Sequence, residues 1–313
     1  DQELKRRQQG FGRGRRMQME KDRVQIISGL KNNITLGSPI ALLIQNKDFS
    51  IGKLKKVISP RPGHADLAGL LKYGFSDVRN VLERASARST VATVGIGAIC
   101  KIFLAQVGIK ISSRVLSIGG ESSKQGMIER ISEAIEAKDT VGGVFEVVAK
   151  GLPCGLGSYA EPDRRLDAQL ACGIMSIPGI KAVGVGLGFG YAEVFGSQVH
   201  DAIYYNKDKG YFRKANNAGG IEGGISNGED IVLSACMKPI STLMRPLDSV
   251  NIITKKSHLA ALERSDVCVV EAAGVVAESA VAFVLSRAVL EKFGSDSLSD
   301  IKKAYQSYLK RIK

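Results

Sequence analysis

Ser59-Pro-Arg-Pro-Gly-His-Ala-Asp66 forms neither a regular helix nor a central strand, because two prolines and a glycine surround one histidine. The eight residues make a stiff turn that presents the imidazole in one fixed direction. His64 is one of only three histidines in 313 residues. Its side chain is the one that most easily gains and loses a proton near neutral pH. A basic neighbour, Arg61, and an acidic one, Asp66, flank it. The turn therefore reads as a site, and the elements on either side read as its support.

Upstream, residues 24–29 and 38–46 read as strands, and residues 50–63 as a loop with two prolines. Residues 1–23 are strongly basic (Lys5, Arg6, Arg7, Arg13, Arg15, Arg16, Lys21 and Arg23), with Gly10, Gly12 and Gly14 alternating among them. Residues 8–16 lack the apolar spacing of a packed helix. Two readings stay open for this arm: a solvated basic tail, or an anion-binding loop whose glycines let the backbone approach phosphate.

Downstream, residues 86–107 predict a long apolar helix ending at Gly108, followed by a strand over 109–118. A polar amphipathic helix is predicted over 124–137 and a strand over 141–150. A helix over 163–174 places Leu166, Leu170 and Ile174 on one face. A glycine-rich connection covers 184–190, strands cover 231–238 and 250–255, and a second long apolar helix covers 274–293. Gly37-Ser-Pro-Ile-Ala-Leu-Leu-Ile-Gln matches Gly228-Glu-Asp-Ile-Val-Leu-Ser-Ala-Cys in pattern. The two apolar helices end alike, at an offset of roughly 190 residues, as a duplicated half gives. The expectation is one domain over 1–313 made of two similar lobes, roughly 1–120 and 140–313.

Composition narrows the classes. Hydrophobic residues at 44% and charged residues at 24% give a globular balance. The net charge of +13 favours an anionic partner without naming it. A nucleic-acid-binding reading follows from the basic arm, but 6% aromatic residues and no Trp disfavour base stacking. The five cysteines have no CxxC spacing and an odd count, which points to buried reduced thiols in a cytoplasmic protein. Histidines and cysteines do not cluster, so no metal is expected. The most apolar stretch, 267–285, is interrupted by Glu271 and Glu278, so no membrane span is expected.

Three further constellations carry chemistry. Arg84-Ala-Ser-Ala-Arg88 opens the first long helix, with Ser86 as N-cap and Arg84 and Arg88 four apart on one face. Lys238-Pro-Ile-Ser-Thr242 leaves a lysine and two hydroxyls at a strand end. Residues 216–228 hold five glycines in 13 residues, either a flexible loop or a backbone cradle for a flat ligand. Gly184-Val-Gly-Leu-Gly-Phe-Gly190 lacks the dinucleotide spacing, and neither a Walker loop nor a hydrolase elbow is present.

Together these motifs resemble the chorismate synthase family. The resemblance runs, in the family's order, through Ser59-Pro-Arg-Pro-Gly-His-Ala-Asp, Lys72-Tyr-Gly, Arg84-Ala-Ser-Ala-Arg, Asn217-Ala-Gly-Gly-Ile-Glu-Gly-Gly-Ile-Ser-Asn-Gly and Met237-Lys-Pro-Ile-Ser-Thr. The start, Glu3-Leu-Lys-Arg-Arg-Gln-Gln-Gly-Phe-Gly-Arg-Gly-Arg-Arg-Met, resembles it too.

The resemblance implies an α+β fold, a β–α–β sandwich with an internal pseudo-two-fold repeat and long helices packed between antiparallel sheets. It implies a homotetramer. It implies a cytoplasmic lyase that converts 5-enolpyruvylshikimate 3-phosphate to chorismate and phosphate by anti-1,4 elimination, dependent on reduced FMN. NADPH is the candidate reductant, with an external flavin reductase as the alternative source. Carried over residue by residue, His64 and Asp266 are the catalytic pair. Arg84, Ala85, Ser86, Gly223, Lys238, Pro239, Ile240, Ser241, Thr242 and Arg264 contact FMN. Arg7 and Arg13 meet NADP or the substrate's anionic groups. Bringing two polyanions together costs several kcal/mol at an effective dielectric of ~20 unless cations offset it, and the +13 chain meets that need.

The chain departs from the family at Ser89, where Glu is usual, at Thr93, where Arg is common, and at Pro178-Gly179, where Asn-Ala or Gln-Ala is usual. The family's opening Gly-Glu-Ser-His-Gly turn, with a second histidine, is not within this sequence. That leaves either a segment upstream of Asp1 or an FMN-binding homologue without turnover as the expectation.

Overall fold

A computed structural model describes residues 1–14, 21–46, 54–208, 210–263 and 265–313. Helix α1 (Gln2–Gln8) comes first. Strands β1 (Gln25–Ser28), β2 (Leu30–Lys31), β3 (Ile34–Thr35) and β4 (Ala41–Leu43) follow, with β1 pairing β4 and β2 pairing β3. Next come α2 (Asp66–Tyr73), α3 (Arg79–Arg84), a 3-10 turn at Ala87–Ser89 and α4 (Thr90–Ala105). The middle of the chain holds β5 (Lys110–Ile118), α5 (Lys124–Glu136), β6 (Gly143–Lys150), α6 (Leu166–Met175), β7 (Ile180–Val185) and α7 (Gly196–Val199). Hairpins β8 (Ile203–Asn206) with β9 (Gly210–Arg213) and β10 (Ile221–Glu222) with β11 (Ile225–Ser226) precede β12 (Ile231–Met237). The chain continues with β13 (Asp248–Val250), β14 (Ser257–Leu259), α8 (Val270–Phe293) and α9 (Leu298–Arg311).

β5, β6, β12 and β7 form one antiparallel sheet in that order. Alternation dictates its inner face: Phe145, Val147 and Ala149 on β6 and Ile231, Leu233, Ala235 and Met237 on β12 are buried. That face receives α8. Gly274 on α8 comes so close to β5 that a Cβ there would lie 2.8 Å from Ser113 Oγ. The far side of α8 receives α4, where a Cβ on Gly97 would stand 2.2 Å from the Ser279 Cβ. Ribbon β1–β4 covers α4 in turn, with Leu42 and Ile44 beside Gly95. The layers thus run strand ribbon, α4, α8, four-stranded sheet. This is the expected α+β arrangement of long helices between antiparallel strands.

The segments Arg79–Ala105 and Val270–Phe293 are long and apolar enough to cross a membrane by composition. The second is 78% buried inside the protein, as a core helix is.

Several expectations shift in detail. The basic arm is helical over Gln2–Gln8 and docked, with Leu4 and Arg7 buried. Arg15 and Arg16 lie outside the described residues. Strands expected over 24–29 and 38–46 shorten to β1 and β4. The helix expected from 86 starts at Thr90, because Ser86 caps a 3-10 turn by accepting the Arg88 N–H. Arg84 ends α3 while Arg88 stands in that turn, so the two do not share a helix face. The strand expected over 250–255 ends where it was to begin. Asn251 folds the chain back by accepting the Ile253 and Thr254 N–H groups on its side chain, and Lys255 takes a φ of 59°. Among the cysteines, Cys154 and Cys172 are exposed, and all five are free thiols.

Candidate active site

The proline-rich turn holds His64 in a ring of charge. Asp66 is completely buried at the start of α2 and accepts four bonds. Arg61 donates its backbone N–H at 3.0 Å, Nε at 2.9 Å and Nη2 at 3.1 Å. His64 Nδ1 lies 2.5 Å from Asp66 Oδ1. A carboxylate partner makes Nδ1 the donor, which leaves Nε2 to face incoming chemistry. Arg61 Nη2 also flanks the ring, 3.1 Å and 3.4 Å from its two nitrogens. Burial pushes the Asp66 carboxyl upward in pKa, but the His64 bond and the Arg61 guanidinium outweigh it and hold it well below the usual carboxylate range.

The same turn meets the strand-end motif. Arg61 Nη1 donates to Thr242 Oγ1 at 2.7 Å, and Ser241 Oγ donates to the Gly63 carbonyl at 2.7 Å. Lys238 Nζ donates to Gly63 O and lies 3.0 Å from Ser241 Oγ. Gly63 is required there: its φ is 72°, and a Cβ would stand 3.4 Å from Ser241 Oγ. Pro239 and Ile240 wrap the base, Ile240 O accepting the Thr140 hydroxyl at 2.7 Å. A Cβ on Gly142 would come within 2.8 Å of Pro239 N. Pro178-Gly179 sits beside this motif through its backbone, since the Gly179 carbonyl accepts the Lys238 N–H at 3.0 Å. Burial, then the neighbouring Lys181, lower the Lys238 ammonium from its usual pKa.

A run of backbone bonds links this corner to Asp266. Val141 N–H donates to Val267 O, and Val267 N–H donates to Gly12 O at 2.8 Å. Asp266 then accepts the Gly14 N–H at 2.5 Å, with Arg13 Nε at 3.6 Å. At the arm's other end, Arg7 donates Nε to Thr90 Oγ1 at 3.0 Å and Nη2 to the Ala87 carbonyl at 3.1 Å. The arm therefore straps the Ser86 turn to Asp266. Ala85 packs on the small core of Val57, Leu70, Val78 and Val81 that supports α2.

His64 and 238–242 are thus joined through Arg61 and Gly63, and Asp266 and the Ser86 turn are tied to them through Thr140–Val141 and the basic arm. The other carried-over residues lie apart from this cluster, face the chain's own groups or fall outside the described residues. Gly223 turns the β10–β11 hairpin, with φ 58°. That hairpin precedes Ile231, whereas Lys238 follows Met237 at the other end of β12, about 20 Å away at a strand's rise per residue. Arg7 and Arg13 face the chain's own carboxylates, Asp22 at 3.9 Å and Asp266. Arg264 lies outside the described residues, and Arg84 is exposed at the end of α3. Arg61 and Asp66 were visible as flanking charges, but their roles around the imidazole were not. Asp22, which receives Arg88 at 2.7 Å, carried no sequence signal.

A family model described as chorismate synthase matches residues 1–290. The chain is 52% identical over 316 residues to a chorismate synthase of Thermoanaerobacter pseudethanolicus, covering 100% of this chain and 90% of the relative. It is 48% identical over 356 residues to one of Geobacter sulfurreducens, covering 99% and 91%. The chain belongs to the chorismate synthase family.

The crystal structure of a chorismate synthase superposes with a TM-score of 0.80 at 39% identity, covering 100% of this chain and 88% of that one. Chorismate synthases are flavin-dependent lyases of the shikimate pathway. The groups at positions 238–242 fit an anionic flavin: a half-buried ammonium lies beside the Ser241 hydroxyl, and no carboxylate pairs with Lys238 among the described residues.

Proposed function

We propose that this chain takes 5-enolpyruvylshikimate 3-phosphate to chorismate by anti-1,4 elimination, with reduced FMN held between the His64 turn and Lys238-Pro-Ile-Ser-Thr242. The observation that carries this reading is the double bridge from Arg61 to Thr242 and from Ser241 to Gly63, which brings two distant motifs to one imidazole. Reduced FMN supplies electron density to the elimination when bound.

The chain's own residues do the rest. Ser86, Lys238, Ser241 and Thr242 hold the cofactor's polar groups. Asp66 fixes the His64 ring so that Nε2 holds or delivers a proton. Asp266, kept in place by the Gly14 N–H, is the second proton-handling group. Lys238, which meets no carboxylate among the described residues, offsets part of the negative charge that two polyanions bring together.

NADPH is the reductant in this reading. The assembly is a cytoplasmic homotetramer of one two-lobed domain, supported by large apolar side chains left exposed, among them Ile27, Ile102, Phe189 and Phe195.

Titration with FMN should give a yellow protein whose affinity tightens in the presence of substrate. Under anaerobic conditions with reduced FMN, the chain with its native N-terminus should release phosphate, and His64→Ala should lower turnover by about 10²-fold or more, as loss of a positioned acid–base group does. Wild-type protein that binds neither flavin nor substrate would end this reading.

A further inference from the structure

The rim of the site carries a second lysine that no motif singled out. Ile180 on β7 pairs with Met237 on β12, and the next pair is closed by the Lys238 N–H to Gly179 O bond. Lys181 is therefore the diagonal neighbour of Lys238. Such neighbours stand about 7–8 Å apart at the backbone, within reach of two lysine side chains. The register shifts at this point, with Cys236 facing Ala182 and Met237 facing Ile180, so Lys181 is the extra residue of a bulge. Bulges of this kind re-aim a side chain. Ile180 and Met237 are buried, whereas Lys181 is exposed and Lys238 half-buried, which sets both ammonium groups toward the outer side.

Two like charges in these positions destabilise a sheet unless something neutralises them. Among the described residues, no carboxylate pairs with either one: Lys238 Nζ meets only Gly63 O and Ser241 Oγ, and Lys181 has no bond or ion pair. The two cations reinforce each other's demand for an anion, and burial, then this repulsion, hold Lys238 below its usual pKa. Ser241 Oγ, bonded to the Gly63 carbonyl, holds Lys238 Nζ at this rim. A phosphate monoester, with two charges and three acceptor oxygens, matches a pair of ammonium groups.

We propose that Lys181 and Lys238 act as one dication that holds the phosphate of the flavin, with Lys181 as a cofactor-binding residue. The proposal rests on the flavin reading above. The test is titration of wild type, Lys181→Gln and Lys181→Arg with FMN and with riboflavin, which lacks the phosphate, at two salt concentrations. Lys181→Gln should weaken FMN about tenfold or more, the scale of a charge-assisted bond, and leave riboflavin unchanged. Lys181→Arg should keep most of the affinity, and the wild-type preference for FMN should shrink at high salt. Equal affinities of wild type and Lys181→Gln for FMN would overturn the proposal, as would an equal loss for both flavins. So would unchanged FMN binding with a raised KM for the phosphorylated substrate, since the dication would then serve the substrate. Wild type that binds FMN no better than riboflavin counts instead against the function reading.

Discussion

Asp66 is the residue on which the geometry of His64 depends. It is fully enclosed and takes every donor that Arg61 and the imidazole aim at it. Asp66→Asn keeps the shape but removes the charge, leaving the buried Arg61 without its counter-ion. Breaking a buried pair costs about 3–5 kcal/mol, and the loss of imidazole orientation should cut turnover by about 10²-fold. The pH dependence has a definite sign. A carboxyl whose folded pKa is depressed contributes stability above its unfolded value, about 3.9, and loses that contribution as pH falls toward the folded value. The stability gap between wild type and Asp66→Asn in urea unfolding should be largest at neutral pH and shrink below about pH 4. A gap that stays constant to pH 3 would show that Asp66 is not ionised against Arg61. At this scale the sequence was highly legible, because proline and glycine write local geometry into the chain. What it could not show was partnership across 181 residues, the separation of Arg61 from Thr242.

Among the elements, the contact between α4 and α8 organises the core. Gly97 and Ser279 meet where the two helices cross, and the glycine lets the backbones approach. Gly97→Ala inserts a Cβ 2.2 Å from the Ser279 Cβ, with Ser279 itself buried. Overpacking of this kind should cost about 1–3 kcal/mol, read as a lower denaturation midpoint. Gly108→Ala, where nothing lies within 4 Å but φ is 83°, tests strain without crowding. If Gly97→Ala matches wild type, the helix crossing is looser than described. Both long helices were legible from runs of apolar residues alone. Helix α1 was not, because seven residues with Leu4 as the aliphatic anchor carry no period. It forms through tertiary contacts: Leu4 and Arg7 are buried against α4 and α8. The long 250–255 strand failed for the opposite reason, since one Asn side chain outcompeted a β-branched sequence for the backbone donors.

Over the whole molecule, the +13 charge is not spread evenly. Cations are gathered around a few buried carboxylates, and Glu278, like Asp66, is fully enclosed. It lies in the middle of the apolar helix α8 with no exposure. Arg6 donates to both its oxygens at 2.7 Å, Ser113 Oγ donates at 2.6 Å, and Lys101 Nζ joins it to Glu3. Burial pushes the Glu278 carboxyl up, yet Arg6, Lys101 and Ser113 together hold it below its ordinary value. This node ties α1, α4, β5 and α8 together, and α1 leads into the Gly10–Gly14 loop that cradles Asp266. Glu278→Ala leaves Arg6 and Lys101, both partly buried, with Glu3 as the carboxylate they share, so a loss of about 3 kcal/mol is expected. FMN affinity should fall with it, because the strap loses its anchor. The comparison is Glu133→Ala: Glu133 pairs with Arg130 at 2.6 Å, but the side chains are 62% and 51% exposed. Solvent screening there limits the cost to about 0.5 kcal/mol, with no effect on flavin. Guanidinium unfolding and FMN titration of both variants separate the two kinds of ion pair. If Glu278→Ala loses stability but keeps full FMN affinity, the node supports the core without positioning the strap.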